Sequence, residues 1–163
     1  MIAARAFRLV PVFCLAAGLA GSAPAPQAAD GHVMIQQSEL VWGPGPPAMP
    51  AGQKVAVLSG NPGQPGPFTL RAQVPAGYKI PPHWHPADEH VTVISGTFAM
   101  GLGEKFDASA LHDLTAGGFA RMPATVRHFA LAKTDAVLQI HGTGPLVLNY
   151  VNPADDPQNA AKK

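Results

Sequence analysis

The sequence predicts an all-β sandwich or barrel, and three observations carry that prediction. Short apolar runs recur along the chain, among them VAVL at 55–58, FTLRAQV at 68–74 and VTVI at 91–94. The second of these alternates apolar and polar residues, as a half-buried strand does. The chain also carries 17 glycines and 18 prolines, which fall between the runs and cut it into pieces too short for helices of ordinary length. Finally, no window of 11 or more residues after position 29 shows an apolar repeat of 3.6 residues. At 163 residues there is room for one domain.

Residues 1–29 read as a secretory signal peptide rather than as part of the fold. Arg5 and Arg8 form a basic start, residues 9–20 are an apolar run too short to span a bilayer, and the small residues of GSAPAPQAAD follow. Cleavage is expected near Ala29, which makes the mature protein periplasmic or secreted. Cys14 lacks the small residues before it that a lipoprotein signal requires. Without Arg5 and Arg8 the count of Lys and Arg falls from 11 to 9 against 10 Asp and Glu, a net charge of −1. Cationic residues that are few and dispersed argue against nucleic acid as a partner, and equally against a membrane surface for the mature form. Cys14 is the sole cysteine, so the mature chain has neither a disulfide nor a thiolate to offer.

Residues 30–53 are expected to form an N-terminal arm, with apolar pieces VMI and LVW followed by GPGPPAMPAG, where proline and glycine forbid a helix or a central strand. Residues 54–152 carry the strands: 55–58, 68–74, 91–94 with its hairpin partner 97–100, 119–122, 128–131, 136–141 and 146–151. Residues 101–115 read as a loop with one helical turn at ASALHDL, and 153–163 as a polar tail.

One stretch, GYKIPPHWHPADEHVTVISG at 77–96, stands apart. His83 and His85 are two residues apart, so on an extended segment both leave the same face. Glu89 follows across a Pro-Ala-Asp bend. Two imidazoles and a carboxylate converging on one point form a ligand set for a divalent transition metal.

The spacing Gly77-x5-His83-x-His85-x3-Glu89-x6-Gly96 resembles the first motif of the cupin superfamily at every position. Gly117-x5-Pro123-x-Thr125-x2-His128-x3-Ala132 is similar to the second motif at Gly117, Pro123 and His128. It departs at Thr125, where the family usually has glycine, and at Ala132, where it usually has asparagine. The resemblance covers roughly residues 50–150. It implies a single cupin-type jelly-roll β-barrel with an N-terminal arm. It also implies one mononuclear divalent metal ion (Zn, Fe, Mn, Ni or Cu) held by His83, His85, Glu89 and His128. In many relatives such an arm packs on a neighbouring subunit, which makes a homodimer one arrangement open to this chain; an arm packed on its own barrel is the other.

Other side chains have weaker claims. His90, next to Glu89, should point to the outer surface, and His32 and His112 have no partners in sequence. Trp84 and Phe129 should point away from the ligands beside them. Phe98 and Met100 share a strand and would line the pocket or fill the core. Gln139 and His141 share a face, either lining the barrel or facing solvent. Arg121 and Arg127 would hold an anion at the mouth, or else lie singly on the surface. Two function classes stay open. One is a metal-dependent enzyme acting on a small molecule, a dioxygenase or isomerase, with no separate general base or nucleophile in view. The other is a non-catalytic periplasmic protein that binds or senses a metal or small ligand.

Overall fold

The computed structural model describes residues 31–160. The expected signal peptide and Cys14 lie outside them. The strands, in chain order, are β1 (Gly43–Pro44), β2 (Lys54–Ser59), β3 (Gly66–Val74), β4 (Lys79–Trp84), β5 (Glu89–Ser95), β6 (Phe98–Leu102), β7 (His112–Leu114), β8 (Phe119–Met122), β9 (His128–Ala132), β10 (Ala136–Gly144) and β11 (Asn149–Tyr150). They form two antiparallel sheets, ordered β1-β2-β3-β10-β5-β8 and β11-β4-β9-β6-β7. This is the all-β jelly roll expected, with one difference. No pairing between described strands joins the two sheets into a continuous barrel.

Alternation along the strands builds the core. In β3, Phe68, Leu70, Ala72 and Val74 point inward and are buried; in β10, so do Leu138 and Ile140. Val91, Val93, Phe98 and Met100 meet them from β5 and from the facing sheet. Residues 91–94 and 97–100, expected as a hairpin, do not pair: β5 and β6 lie in different sheets, β6 pairing with β7 and β9, and the chain crosses between the sheets in a tight turn. That turn is at Gly96, at φ +79°, where a Cβ would sit 2.1 Å from the Asp135 carbonyl oxygen. Only glycine fits such an approach.

The two prolines before His83 do not prevent a strand. Between β4 and β9 the register runs from Ile80↔Ala130 to His83↔His128, three residues against two. That extra residue is a bulge, the place in a sheet where proline is tolerated, since it cannot donate to the ladder. Three further boundaries differ from expectation. Residues 112–114, expected in a loop, pair with β6 as an edge strand, while 108–110 make a 3-10 turn. Of the strand expected at 146–151 only Asn149–Tyr150 pair, with β4, and residues 145–148 before them are irregular. Residues 153–155 and 157–160 form single helical turns.

The arm lies on its own domain. Leu40 is buried, Gly43 and Pro44 pair with β2, and Arg71 donates to the Gln37 side chain. Beyond it, residues 45–52 form a strap. The Tyr150 hydroxyl donates to the Ala48 carbonyl (2.8 Å) and the Tyr78 hydroxyl to the Pro50 carbonyl (2.7 Å). Burial raises the pKa of both phenols, that of Tyr150 to about 12 with help from Asp156 and Asp155, so both keep the proton they donate. No helix among the described residues is long and apolar enough to cross a membrane.

Candidate metal centre

Three histidines come together because two segments distant in sequence, β4 with the residue after it and the start of β9, deliver them. His83 is the penultimate residue of the bulged β4 and sits directly opposite His128, the first residue of β9. His85 lies one residue past β4. Its backbone carbonyl accepts from Thr125 N–H (2.8 Å), which ties the first motif to the turn that precedes His128. All three are buried. Their ring centroids are 4.2 Å (His83–His128), 5.1 Å (His83–His85) and 5.4 Å (His85–His128) apart. Each offers a ring nitrogen within 4.8 Å of the others. Glu89 opens β5 in the opposite sheet and points inward with Val91. Its Oε2 lies 3.4 Å from His128 Nε2 and 3.6 Å from His85 Nε2.

The hydrogen bonds fix which nitrogen faces the centre. His83 Nδ1 meets the Pro81 carbonyl at 2.8 Å, His85 Nδ1 the Val147 carbonyl at 2.7 Å, and His128 Nδ1 the Val126 carbonyl at 3.0 Å. A carbonyl only accepts, so each Nδ1 carries the hydrogen and each Nε2 is left with a lone pair. His85 Nε2 and His128 Nε2 are buried without a hydrogen-bond partner among the described residues. Buried polar atoms are normally paired; two that are not, aimed at one point beside a carboxylate, fit a missing cation. The donor set, imidazole nitrogen with carboxylate oxygen, suits a divalent transition metal. Backbone carbonyls on the far side of each ring are the supports that hold ligand imidazoles in one tautomer.

Electrostatics agree. Burial, followed by the neighbouring His128 and His85, lowers the His83 pKa to about 3, which keeps the ring neutral and its lone pair free. Burial pushes the Glu89 carboxyl up. The closeness of His128 first, then of His85 and His83, outweighs that, and the net direction is down. The group is an anion at neutral pH.

The remaining sequence candidates lie elsewhere. His90 is on the outer face of β5, stacked 4.7 Å from His141 at 9° and 6.0 Å from Phe119. Gln139 is also outward, accepting from Arg71. Trp84 packs under Arg127, outside the cavity. Phe129 does face away from its neighbour His128 yet is fully buried, because Phe106 of the 103–111 loop covers it. Phe98 and Met100 both fill the core and line the cavity. The arginines do not guard a mouth: Arg121 is paired to Asp88 at 2.7 Å, and Arg127 reaches Glu104 at 3.8 Å and the Thr125 carbonyl. His32 and His112 are exposed.

Sequence reasoning missed one supporting segment, HGTGPLVLNY at 141–150. It carries the Val147 carbonyl that orients His85, Leu146 and Leu148 in the cavity wall, and Tyr150, whose ring is 6.3 Å from His83. Its signal was the Gly-Pro break in an otherwise strand-like run. The cavity beside the histidines is about 420 Å³ and runs between the two sheets, with the strap as one wall.

The family model of the ChrR cupin-like domain matches residues 30–147. Among solved structures, the chain is similar to the polyketide cyclase RemF from Streptomyces resistomycificus (TM-score 0.61, 14% identity, 82% of this chain and 94% of that one). It is similar to an acetylacetone dioxygenase from Acinetobacter johnsonii (TM-score 0.58, 16% identity, 83% and 87%). A further likeness is to an RmlC-like cupin from Shewanella frigidimarina NCIMB 400 (TM-score 0.54, 18% identity, 70% and 91%). At these identities the likeness shows the fold. No curated protein matches the chain.

Proposed function

The chain belongs to the ChrR cupin-like domain family of the cupin superfamily, and from that premise we propose that it holds one divalent transition metal ion through His83, His85, Glu89 and His128 and acts on a small molecule there. The observation that carries the reading is the pair of buried, unpartnered Nε2 atoms of His85 and His128 beside the Glu89 carboxylate. When bound, such an ion supplies Lewis-acid or oxygen-activating chemistry of the dioxygenase or isomerase type. Four protein ligands leave room for one or two more on a metal that prefers five or six. The chain's own part is to hold three imidazoles in one tautomer, to contribute one negative charge, and to keep bulk water from the centre with apolar walls.

A second reading has its own support. Apart from the proposed ligands, no described residue lining the cavity is an acid or a base. A non-catalytic metal or small-ligand binding protein needs none. Turnover that depends on added metal and on dioxygen would favour the enzyme. Thermal stabilisation by a ligand without turnover would favour the binding protein. For location we propose the periplasm or the exterior, supported by the character of residues 1–29.

The test of the centre is metal content by elemental mass spectrometry after purification without chelator. About one metal per chain is expected. His85→Ala should lower occupancy at least tenfold, and His90→Ala, on the opposite face of the sheet, should leave it near wild type. Equal loss in both would overturn the ligand set.

A further inference from the structure

The cavity has a chemical bias that bears on what it admits. Besides His83, His85, Glu89 and His128, Gln53 is the one polar side chain among its described lining residues; the rest, including Val91, Phe98, Met100 and Leu138, are apolar or glycine. No lysine, arginine or hydroxyl side chain lines it. The polar groups stand at opposite ends. Glu89 is level with Gly142 and so with Phe68 on β3, whereas Lys54, next to Gln53, is level with Gln73. Five residues of strand separate those levels, roughly 16 Å at about 3.3 Å per residue.

Gln53 is 8% exposed. Its backbone carbonyl accepts from Gly45 N–H, and its side chain lies so close over Gly45 that a Cβ there would be 2.3 Å from Cγ. The strap therefore clamps the side chain in place, while its amide has no hydrogen-bond partner among the described residues. An amide set among apolar neighbours at the far end of a cavity offers a donor and an acceptor to a molecule that reaches it.

Resting on the metal-centre reading above, we propose that the cavity selects an elongated apolar molecule with a single oxygen-donor head group, and that Gln53 determines specificity by pairing with a polar group at its far end. The head would sit at the histidines, where a divalent ion and one carboxylate leave a net single positive charge, enough for one carboxylate, enolate or phenolate. Phosphates and polyols are excluded, since each hydroxyl stripped of water against these walls lacks a partner and weakens binding roughly tenfold.

The test is calorimetric titration of the purified chain supplied with zinc, with zinc content measured on the same sample. The probes are decanoate, 10-hydroxydecanoate and glucuronate. All three have one carboxylate head. Decanoate should bind at least a hundredfold more tightly than glucuronate. Gln53→Leu should weaken 10-hydroxydecanoate about tenfold and leave decanoate within twofold; Gln53→Met serves if that variant does not fold. Glucuronate binding as tightly as decanoate, with one zinc per chain, overturns the apolar selection and leaves the metal centre standing. Equal weakening of both decanoates by Gln53→Leu overturns the role of the amide. Absence of zinc uptake with the decanoate preferences intact sinks the metal reading and upholds the cavity's selectivity.

Discussion

At the scale of single residues, Thr125 shows how much local strain the site tolerates. It stands where the cupin motif usually has glycine, and its φ is +68°, the left-handed region that a β-branched residue rarely enters. The turn forms anyway, because Thr125 N–H donates to the His85 carbonyl and Val126 N–H to that of Pro123. The carbonyl of Val126 then orients His128. The residue is exposed, so relief of strain is the main consequence of replacing it. Thr125→Gly should stabilise the protein by about 1 kcal/mol, less the added freedom of glycine in the unfolded chain. Thermal unfolding should show a rise of a few degrees. A fall would mean that the side chain makes a contact worth more than the strain.

At the scale of elements, the strap at 45–52 closes the side of the domain that strand pairing leaves open. It is held by the two tyrosine hydroxyls rather than by a ladder, and four of its residues or immediate neighbours (Pro44, Pro46, Ala48 and Met49) face the cavity. Tyr150→Phe removes one of the two anchors without changing the ring that packs beside His83. The loss should be about 1 kcal/mol, or a few degrees in unfolding temperature. Amide hydrogen exchange measured by mass spectrometry should quicken in residues 45–52 ahead of the strands, with metal content unchanged. Unaltered exchange there would show that the hydroxyl does not anchor the strap.

For the whole molecule, buried His83 makes stability depend on pH. His83 has a folded pKa of about 3 against an ordinary 6.5. Between those values the unfolded chain takes up a proton that the folded one refuses, so stability falls as pH falls from about 6.5 towards 3 and is fully present above that window. Glu89 acts in the same direction, since its folded value lies below the ordinary 4.5. The metal-free protein should therefore lose unfolding temperature steadily from pH 7 to pH 4. Bound metal should be released over the same descent, because the ligands bind only when deprotonated. A midpoint that stays level from pH 7 to pH 4 would contradict the buried, neutral state of His83.

The pattern of residues was enough to determine the all-β class, the inward face of β3, and the family, since these rest on alternation and on fixed spacings within short segments. The parity of strands also placed His90 outside and Gly96 at a turn before any coordinates. Three things came only from the tertiary structure. Gln139 and His141 could face either way until the sheet order showed which side of β10 meets the core. The backbone carbonyls that orient the imidazoles belong to residues of no distinctive type, and Val147 comes from 62 positions away, so no spacing could announce it. The cavity's apolar walls and the seat of Gln53 are drawn from both sheets and the strap, and residues so distant along the chain become neighbours only when the two sheets pack face to face.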